Sequence, residues 1–227
     1  MAFSTSAKSR LTQHDLGRFL SKSLFDRIAR AACEAGCLPR KELYEAWELA
    51  RRVRRLFRGG RVVDVAGGHG LLAQTMLLLD DSSRDAYVVD PAVPSSAAKL
   101  HESLASAWPR LAGRVHWTAA PLDAFLFQKD DVIVSSHACG RLTDVVLDRA
   151  LDVRARVAVL PCCHDRTTSD AGQITGWVDP ALAIDLLRAV RLQHHGYVVK
   201  TQTIPGTITP KNRLLIGEPF SDGITAG

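Results

Sequence analysis

The sequence lacks a hydrophobic run long enough to cross a membrane. Spanning a bilayer as a helix takes roughly 20 consecutive apolar residues. The longest apolar stretches of this 227-residue chain, around residues 77–79 and 157–160, are short and flanked by charge. The first residues also lack the apolar core of a secretory signal, and an organellar transit segment is the alternative there. We therefore expect a soluble, cytoplasmic protein without membrane contact.

The chain also lacks an even set of cysteines, and its last three cysteines lack the C-x₂₋₄-C spacing of common zinc sites. It has five cysteines: Cys33, Cys37, Cys139, Cys162 and Cys163. An odd number in a chain of this length fits a reducing compartment better than a disulfide framework. His137 and His164 lie close to the last three cysteines in sequence, and both residue types can bind zinc. Because the spacing is wrong for a structural site, we predict no metal and small buried cysteines near a ligand, with metal binding as the alternative.

Lysine is scarce, and the positive charge is concentrated at the N-terminus. The chain has 22 Arg and 7 Lys, and residues 1–61 carry 14 basic against 6 acidic residues, whereas residues 62–227 carry 15 against 18. Arginine suits planar contacts with phosphate, although genome base composition alone produces the same bias. We predict that Arg54 and Arg55, on an arginine-rich helix, contact RNA as a substrate. The alternative is a solvated helix face whose arginines pair with acidic neighbours.

Two amphipathic patterns precede a change in periodicity. Apolar residues recur at three-to-four spacing over residues 11–35 and again over residues 41–57, which predicts two helices. Gly36 and the pair Gly59-Gly60 are expected to end them. We assign residues 1–60 to a basic N-terminal helical extension.

Short β-branched runs then alternate with helical stretches, which is typical of a parallel sheet built from βαβ units. The link at residues 204–212 is too short for a parallel crossover, so the last two strands should form an antiparallel hairpin. The sequence therefore predicts an α/β fold over residues 61–220, a Rossmann-like seven-stranded, mainly parallel sheet with a C-terminal antiparallel hairpin, followed by a flexible tail at 221–227. The predicted strands are residues 61–65, 86–89, 114–118, 131–135, 156–160, 196–203 and 213–217, and the helices between them 71–79, 95–107, 141–150 and 180–195.

A glycine-rich turn follows the first predicted strand, in the segment VVDVAGGHGLL at residues 62–72. Small residues at the carboxyl end of a strand let backbone N–H groups approach a ligand closely. The segment resembles motif I, D/E-x-G-x-G-x-G, of class I S-adenosylmethionine-dependent methyltransferases, with Ala66 in place of the first glycine. Five alternating units and a closing antiparallel pair are also the plan of that class. The resemblance implies S-adenosylmethionine as cofactor, with its methionyl part held by Asp64, Ala66, Gly67, Gly68 and Gly70.

The second predicted strand ends in Asp90, which is placed to accept hydrogen bonds from both ribose hydroxyls of an adenosine. Asp123 follows the third strand, where it contacts the adenine amino group or caps the next helix. Ser136, after the fourth strand, is the last predicted cofactor contact. The alternative is a dinucleotide site, because residues 68–73 also match G-x-G-x-x-A and Asp90 lies about 20 residues beyond. The acid at Asp64, the hairpin and the lack of a second domain favour the methyltransferase.

The fourth and fifth strands lead into segments rich in Cys and His, at residues 135–144 and 160–165. With residues 209–213, they resemble a methyltransferase-domain family marked by H-x-C-G-x-x-[ST]-D and C-C-H, which includes enzymes that methylate a ribose 2′-hydroxyl of tRNA. The resemblance spans residues 38–218. The chain lacks the zinc-binding extensions of those tRNA enzymes and has Ser136 where they usually have Lys. The resemblance implies catalytic roles for His137, Asp144 and His164. It also implies that the acceptor is contacted by Cys139, Cys162, Cys163, Lys211 and Asn212.

Methyl transfer to a hydroxyl needs a positioned acceptor and a proton acceptor. His137 is the predicted base, since a histidine titrates near operating pH. Alternatively, His137, Asp144 and His164 only fix their loops by hydrogen bonds. RNA is the predicted acceptor, and the alternative acceptors are a small molecule or a protein side chain. A further alternative is that the protein has no catalytic activity and binds RNA or a nicotinamide cofactor. The oligomeric state stays open.

Overall fold

The structure is a computed structural model that describes residues 3–165 and 167–220. The predicted tail at residues 221–227 lies outside this range. No helix within the described residues is long and apolar enough to cross a membrane.

A seven-stranded sheet forms the centre of the molecule, in the order β3-β2-β1-β4-β5-β7-β6. The first five strands are parallel, and β7 runs antiparallel between β5 and β6. This confirms the predicted fold class. The central strands are short and rich in valine because helices cover both faces of the sheet. The strands are β1 (Val62–Val65), β2 (Ala86–Val89), β3 (Val115–Thr118), β4 (Val132–Ser135), β5 (Arg156–Val159), β6 (Tyr197–Thr203) and β7 (Arg213–Pro219).

Six α-helices accompany the sheet in the described residues: α1 (Leu24–Ala35), α2 (Arg40–Leu56), α3 (Leu71–Leu79), α4 (Ala97–Ala107), α5 (Arg141–Val153) and α6 (Pro180–His194). The single helix predicted over residues 11–35 is wrong. A short 3₁₀ helix, Gln13–Arg18, is separated from α1 by buried Phe19 and the exposed residues 20–23. Ser23 causes the break, because its side chain accepts the Asp26 N–H and so caps α1.

The N-terminal helices and the sheet share one hydrophobic cluster. Leu49 and Val53 of α2 are buried in the same cluster as Leu72 and Met76 of α3 and Val62 of β1. This packing brings the beginning of α2 over the carboxyl end of β1. Residues of the N-terminal segment therefore line the crevice into which the glycine-rich turn opens.

Candidate active site

The glycine-rich turn after β1 follows a backbone path that side chains oppose. Ala66, Gly68 and Gly70 all have positive φ, at +54°, +49° and +71°. Gly67 is required for a different reason, since a Cβ there would lie 2.7 Å from the carboxyl carbon of Asp64 and 2.8 Å from Val88. The turn is therefore drawn tightly over the end of β1, with Ala66 in a conformation that glycine adopts more easily.

Asp64 is buried under this turn and is only half satisfied. Its Oδ2 accepts the Ala73 N–H at 3.1 Å, while its Oδ1 is buried with no hydrogen-bond partner among the described residues. Burial, together with nearby Asp90, raises the pKa of Asp64 to about 8. An unpaired buried carboxyl oxygen is costly and indicates a missing donor. Asp64 thus fits a cationic N–H group of a ligand.

Asp90 lies just beyond β2 and is partly exposed. Its Oδ2 accepts the Gly68 N–H at 3.0 Å and its Oδ1 accepts the Ala92 N–H at 2.9 Å. A carboxylate has about four acceptor positions, so it can still receive two hydroxyl donors. Asp123 is exposed within the 3₁₀ helix Leu122–Ala124, where both roles predicted for it remain open.

A narrow cavity of about 20 Å³ connects Asp64 with residues from α2 and from the loop after β4. A volume of this size holds about one water molecule or one ammonium group. Glu42 was not singled out from the sequence, and burial, followed by repulsion from Glu45, raises its pKa to about 7. Only a helical pattern surrounds Glu42, so no sequence signal marked it. The residues lining the cavity are Leu38, Glu42, Ala46, Asp64, Gly67, His69, Leu71, Leu72, Ser136 and His137.

His137 borders the same cavity from the loop after β4. Burial, reinforced by the positive charge of Lys41, lowers the pKa of His137 to about 4. Lys41 also forms an ion pair with Glu45, at 3.1 Å between Nζ and Oε1. His137 is therefore neutral at physiological pH, with a ring nitrogen that can accept a proton or a hydrogen bond. The expectation that it titrates near operating pH is wrong, because the site is buried and Lys41 is close.

The remaining residues of the H-x-C-G-x-x-T-D motif hold the loop in shape. Gly140 has φ +56°, and the Thr143 hydroxyl donates to the Ala138 carbonyl at 2.5 Å. Both oxygens of Asp144 accept from the guanidinium of Arg188, at 2.7 and 2.8 Å. Asp144 thereby ties α5 to α6, an arrangement that matches the loop-fixing alternative.

His164, of the C-C-H element, is oriented by a carboxylate that the sequence analysis missed. Its Nε2 donates to Asp185 Oδ1 at 2.8 Å, and Arg213 Nε donates to Asp185 Oδ2 at 2.6 Å. Although burial opposes it, these bonds hold the pKa of Asp185 below its usual range. His164 Nδ1 is buried without a partner in the described part of the chain. Asp185 lies on α6 at three-residue spacing from Arg188, which carries no recognisable motif.

The three cysteines of the two motif loops are not buried, which corrects the predicted packing role. Cys139 and Cys163 are exposed and Cys162 is partly exposed. Their Sγ atoms all lie within 4.8 Å of one another. Burial and the neighbouring thiols raise the pKa of Cys162. The loops extend beyond the carboxyl ends of β4 and β5, so the thiols leave the hydrophobic core.

The prediction that Arg54 contacts RNA is wrong. Its side chain is only 2% exposed and forms an ion pair with Asp80 at 3.2 Å, and it donates to the Ser83 hydroxyl at 2.7 Å. The stripe of α2 that packs on α3 includes position 54, so the guanidinium lies within the core and needs a buried partner. Arg55 is exposed. The arginines at positions 51 and 52 both pair with Glu48.

At the β6–β7 link, Lys211 is exposed, and the Asn212 amide donates to the Ile204 carbonyl at 2.9 Å. A separate, mostly apolar groove of about 450 Å³ lies between α6 and the β6–β7 hairpin. Asp185 and Arg213 line this groove and also form the hydrogen-bond network of His164. The groove is therefore connected to the C-C-H element and not to the glycine-rich turn.

Three solved structures share this fold at low sequence identity. An O-methyltransferase family protein from Burkholderia thailandensis is 17% identical with a TM-score of 0.54, and the alignment covers 92% of this chain and 63% of that one. The S-adenosylmethionine-dependent methyltransferase SibL is 18% identical with a TM-score of 0.52, over 93% and 66%. The mitomycin 7-O-methyltransferase MmcR is 18% identical with a TM-score of 0.50, over 92% and 64%. The chain thus spans just under two thirds of the length of each of these proteins.

A search among curated proteins found no match. A family model described as a methyltransferase domain matches residues 41–170, which is more than half of the chain and includes the glycine-rich turn, Asp90 and the H-x-C-G loop. This match favours the methyltransferase over the dinucleotide alternative. The chain belongs to the methyltransferase-domain family and has the Rossmann-like fold that these solved methyltransferases share.

Proposed function

We propose that the protein methylates RNA at an acceptor bound over the loops that follow β4 and β5. The observation that carries the cofactor half is the buried, unpartnered Oδ1 of Asp64 beneath the glycine-rich turn. S-adenosylmethionine supplies an activated methyl group on a sulfonium and carries an ammonium group. The ammonium is the donor that Asp64 lacks, and Asp90 has acceptor positions left for ribose hydroxyls.

Gly67 keeps this arrangement open. Any side chain there would press on the Asp64 carboxyl, because the Cβ position lies 2.7 Å from it. The cavity of about 20 Å³ beside Asp64 matches one ammonium group. The residues present therefore fit the methionine end of the cofactor, and Glu42 adds a second acidic group there.

His137 is the proposed base for a hydroxyl acceptor. It lines the cavity with Asp64, and its pKa of about 4 leaves the imidazole unprotonated at pH 7 but makes it a weaker base than an ordinary histidine. His164, held by Asp185, is a positioning residue for the neighbouring loop. A carboxylate that accepts from one ring nitrogen fixes the tautomer and leaves the other nitrogen as an acceptor.

Support for an RNA acceptor comes from positive charge around the site. After burial itself, the charge of Arg10 is the second cause that lowers the pKa of His69, which lies in the glycine-rich turn. Lys41 acts in the same way on His137. Burial raises the pKa of Cys139, and the charge of exposed Lys211 opposes that rise. Basic residues near the site attract a phosphate backbone. All five cysteines are free thiols, in keeping with the cytoplasm as the proposed location.

The cofactor half is tested by calorimetric titration of the purified chain with S-adenosylmethionine. We expect binding that is lost in Gly67→Ala and weakened in Asp90→Asn. Gly176→Ala is the matched control, since a Cβ at Gly176 would meet no described atom within 4 Å. Thermal melts of each variant separate loss of the site from loss of the fold. Absence of binding in the folded parent protein would refute the proposal.

The acceptor half is tested by titrating bulk tRNA and rRNA against the protein at increasing salt. We expect affinity that falls with salt and falls further in Arg10→Glu and Lys211→Glu. Arg84→Glu is the control, because the Arg84 side chain is 94% exposed and lies at the amino end of β2, whereas the proposed site lies at the carboxyl ends of the strands. Equal losses in all three variants, or no RNA binding, would instead favour a small-molecule acceptor.

A further inference from the structure

Two loops at the edge of the active site bring three thiols together. Cys139 follows β4, and Cys162 and Cys163 follow β5. The three Sγ atoms lie within 4.8 Å of one another, and those of Cys139 and Cys162 are 2.7 Å apart. A cluster of this kind, formed by loops from neighbouring strands, is a chelating geometry.

Backbone hydrogen bonds fix the positions of the two loops that carry the cluster. The Gly140 N–H donates to the Cys163 carbonyl at 3.2 Å, which joins the two loops directly beside the thiols. Arg188, itself 2% exposed, donates to the Gly140 carbonyl at 3.1 Å and anchors the junction to α6. The loop positions are thus set by buried hydrogen bonds, while the thiols of Cys139 and Cys163 remain exposed.

Hydrophobic packing does not explain these cysteines. Cys33, by contrast, is fully buried in the N-terminal cluster and serves as a small apolar side chain. Exposed, mutually close thiols gain little from burial, and thiolate is the preferred ligand of soft metal ions. Lys211 beside Cys139 contributes a positive charge that balances a centre of three thiolates and one divalent ion, whose net charge is −1.

We propose that Cys139, Cys162 and Cys163 bind one thiophilic metal ion, Zn²⁺ in the first instance, through three thiolates. Binding replaces three S–H protons by three S–Zn bonds and releases the protons to solvent. Zinc–sulfur bonds of about 2.3 Å on a tetrahedral ion set the sulfur atoms about 3.8 Å apart. The separation of 2.7 Å between Cys139 and Cys162 is shorter than that distance, and rotation of the exposed Cys139 and Cys163 side chains supplies the adjustment.

Three protein ligands leave a fourth position on a tetrahedral ion for water or another small ligand, as in zinc sites that remain open. The adjacent Cys-Cys pair and the single cysteine 23 residues earlier form no C-x₂₋₄-C pair. The sequence therefore shows no zinc-binding motif, because the three cysteines come together only through the pairing of β4 with β5.

The test measures zinc in protein purified with a phosphine reductant, loaded with Zn²⁺ and desalted, by elemental mass spectrometry. We expect about one zinc per chain, lost in Cys139→Ser and in Cys163→Ser and retained in Cys37→Ser. Cys37 is the matched control because it is 6% exposed and its thiol donates to the Ser96 carbonyl, a bond that serine preserves. Substitution with Co²⁺ should give a sulfur-to-cobalt charge-transfer band in the parent protein and in Cys37→Ser, and in neither of the two loop variants.

Zinc content that does not differ between the parent and the two loop variants would overturn the proposal, as would a loaded parent without metal. Calorimetry with S-adenosylmethionine on the same samples keeps this outcome separate from the proposed function. Gly67→Ala should lose the cofactor and keep zinc, whereas Cys163→Ser should lose zinc and keep the cofactor. Joint loss of both ligands in Cys163→Ser, with the fold intact, would contradict an independent metal site.

Discussion

Binding of S-adenosylmethionine should release a proton from Asp64. In the ligand-free protein, burial raises the pKa of this carboxyl to about 8, so the group is mostly protonated at pH 7. The unpartnered Oδ1 can accept the ammonium of the cofactor only when the carboxyl is ionised. Cofactor binding therefore needs the charged form and drives the proton off.

The magnitude follows from that pKa. A group with a pKa of about 8 is about 90% protonated at pH 7, so binding there should release about 0.9 proton per ligand. Apparent affinity should rise about ninefold from pH 6 to pH 7, since the ionised fraction rises by that factor. Asp64→Asn keeps the shape and removes the charge, which should weaken binding by about 10- to 150-fold, the loss of one charged hydrogen bond.

Calorimetry in two buffers of different ionisation enthalpy measures the released proton directly. Other titratable groups face the cavity, namely Glu42, His69 and His137. Glu42 has a pKa of about 7, so Glu42→Gln is the variant that isolates its share. Asp64→Asn should bind with little dependence on pH between 6 and 7. Proton release that persists in Asp64→Asn and vanishes in Glu42→Gln would refute the role given to Asp64.

Four further predictions each concern a substitution at one residue. Ala66→Gly should raise the free energy of unfolding by about 0.5–1 kcal/mol, because Ala66 has φ +54°. Arg54→Met should lower the free energy of unfolding by about 3–5 kcal/mol, because buried Asp80 then keeps only the exposed Arg58, at 3.7 Å, as a charged partner. His137→Ala should lower kcat by about 10²- to 10⁴-fold with a smaller change in cofactor affinity, and wild-type kcat should not fall through a histidine titration between pH 6 and 8 because the pKa of His137 is about 4. Asp64→Asn should gain stability relative to the parent as pH rises from 5 to 8. The folded-state pKa of Asp64, about 8, lies above the unfolded value of about 3.9, so the parent loses stability as pH rises between these two values and the variant does not.

Each of these predictions has a control or a contrary result. Ala105→Gly in α4, a helical position, should lose about 1 kcal/mol, opposite in sign to the change at Ala66. Arg55→Met, at an exposed neighbour of Arg54, should stay within about 0.5 kcal/mol of the parent. Denaturant titration measures both pairs and the Asp64 series, and equal effects in either pair would contradict the structure. Unchanged kcat in His137→Ala would remove that residue as the base.

The order of helices and strands was predictable because local periodicity and turn residues dictate it. The alternation of valine-rich runs with helical stretches, and the short link at residues 204–212, gave the sheet and its closing hairpin. The glycine-rich turn was recognisable because its residue types are required by the backbone path itself. The break before α1 was missed, since Ser23 and Asp26 compete locally with a helix pattern that continues across them.

By itself the sequence determined the fold class, the family and the glycine-rich turn proposed to hold the cofactor, all of which depend on neighbours along the chain. Tertiary structure alone decided which charges are free and which groups meet across the sheet. Arg54 is buried because α2 docks on α3 through the stripe that includes it. Cys139 reaches Cys162 because the parallel strands β4 and β5 end side by side, and Asp185 reaches His164 because α6 packs against the sheet. Burial and proximity across long sequence separations are set by packing, and no local pattern records them.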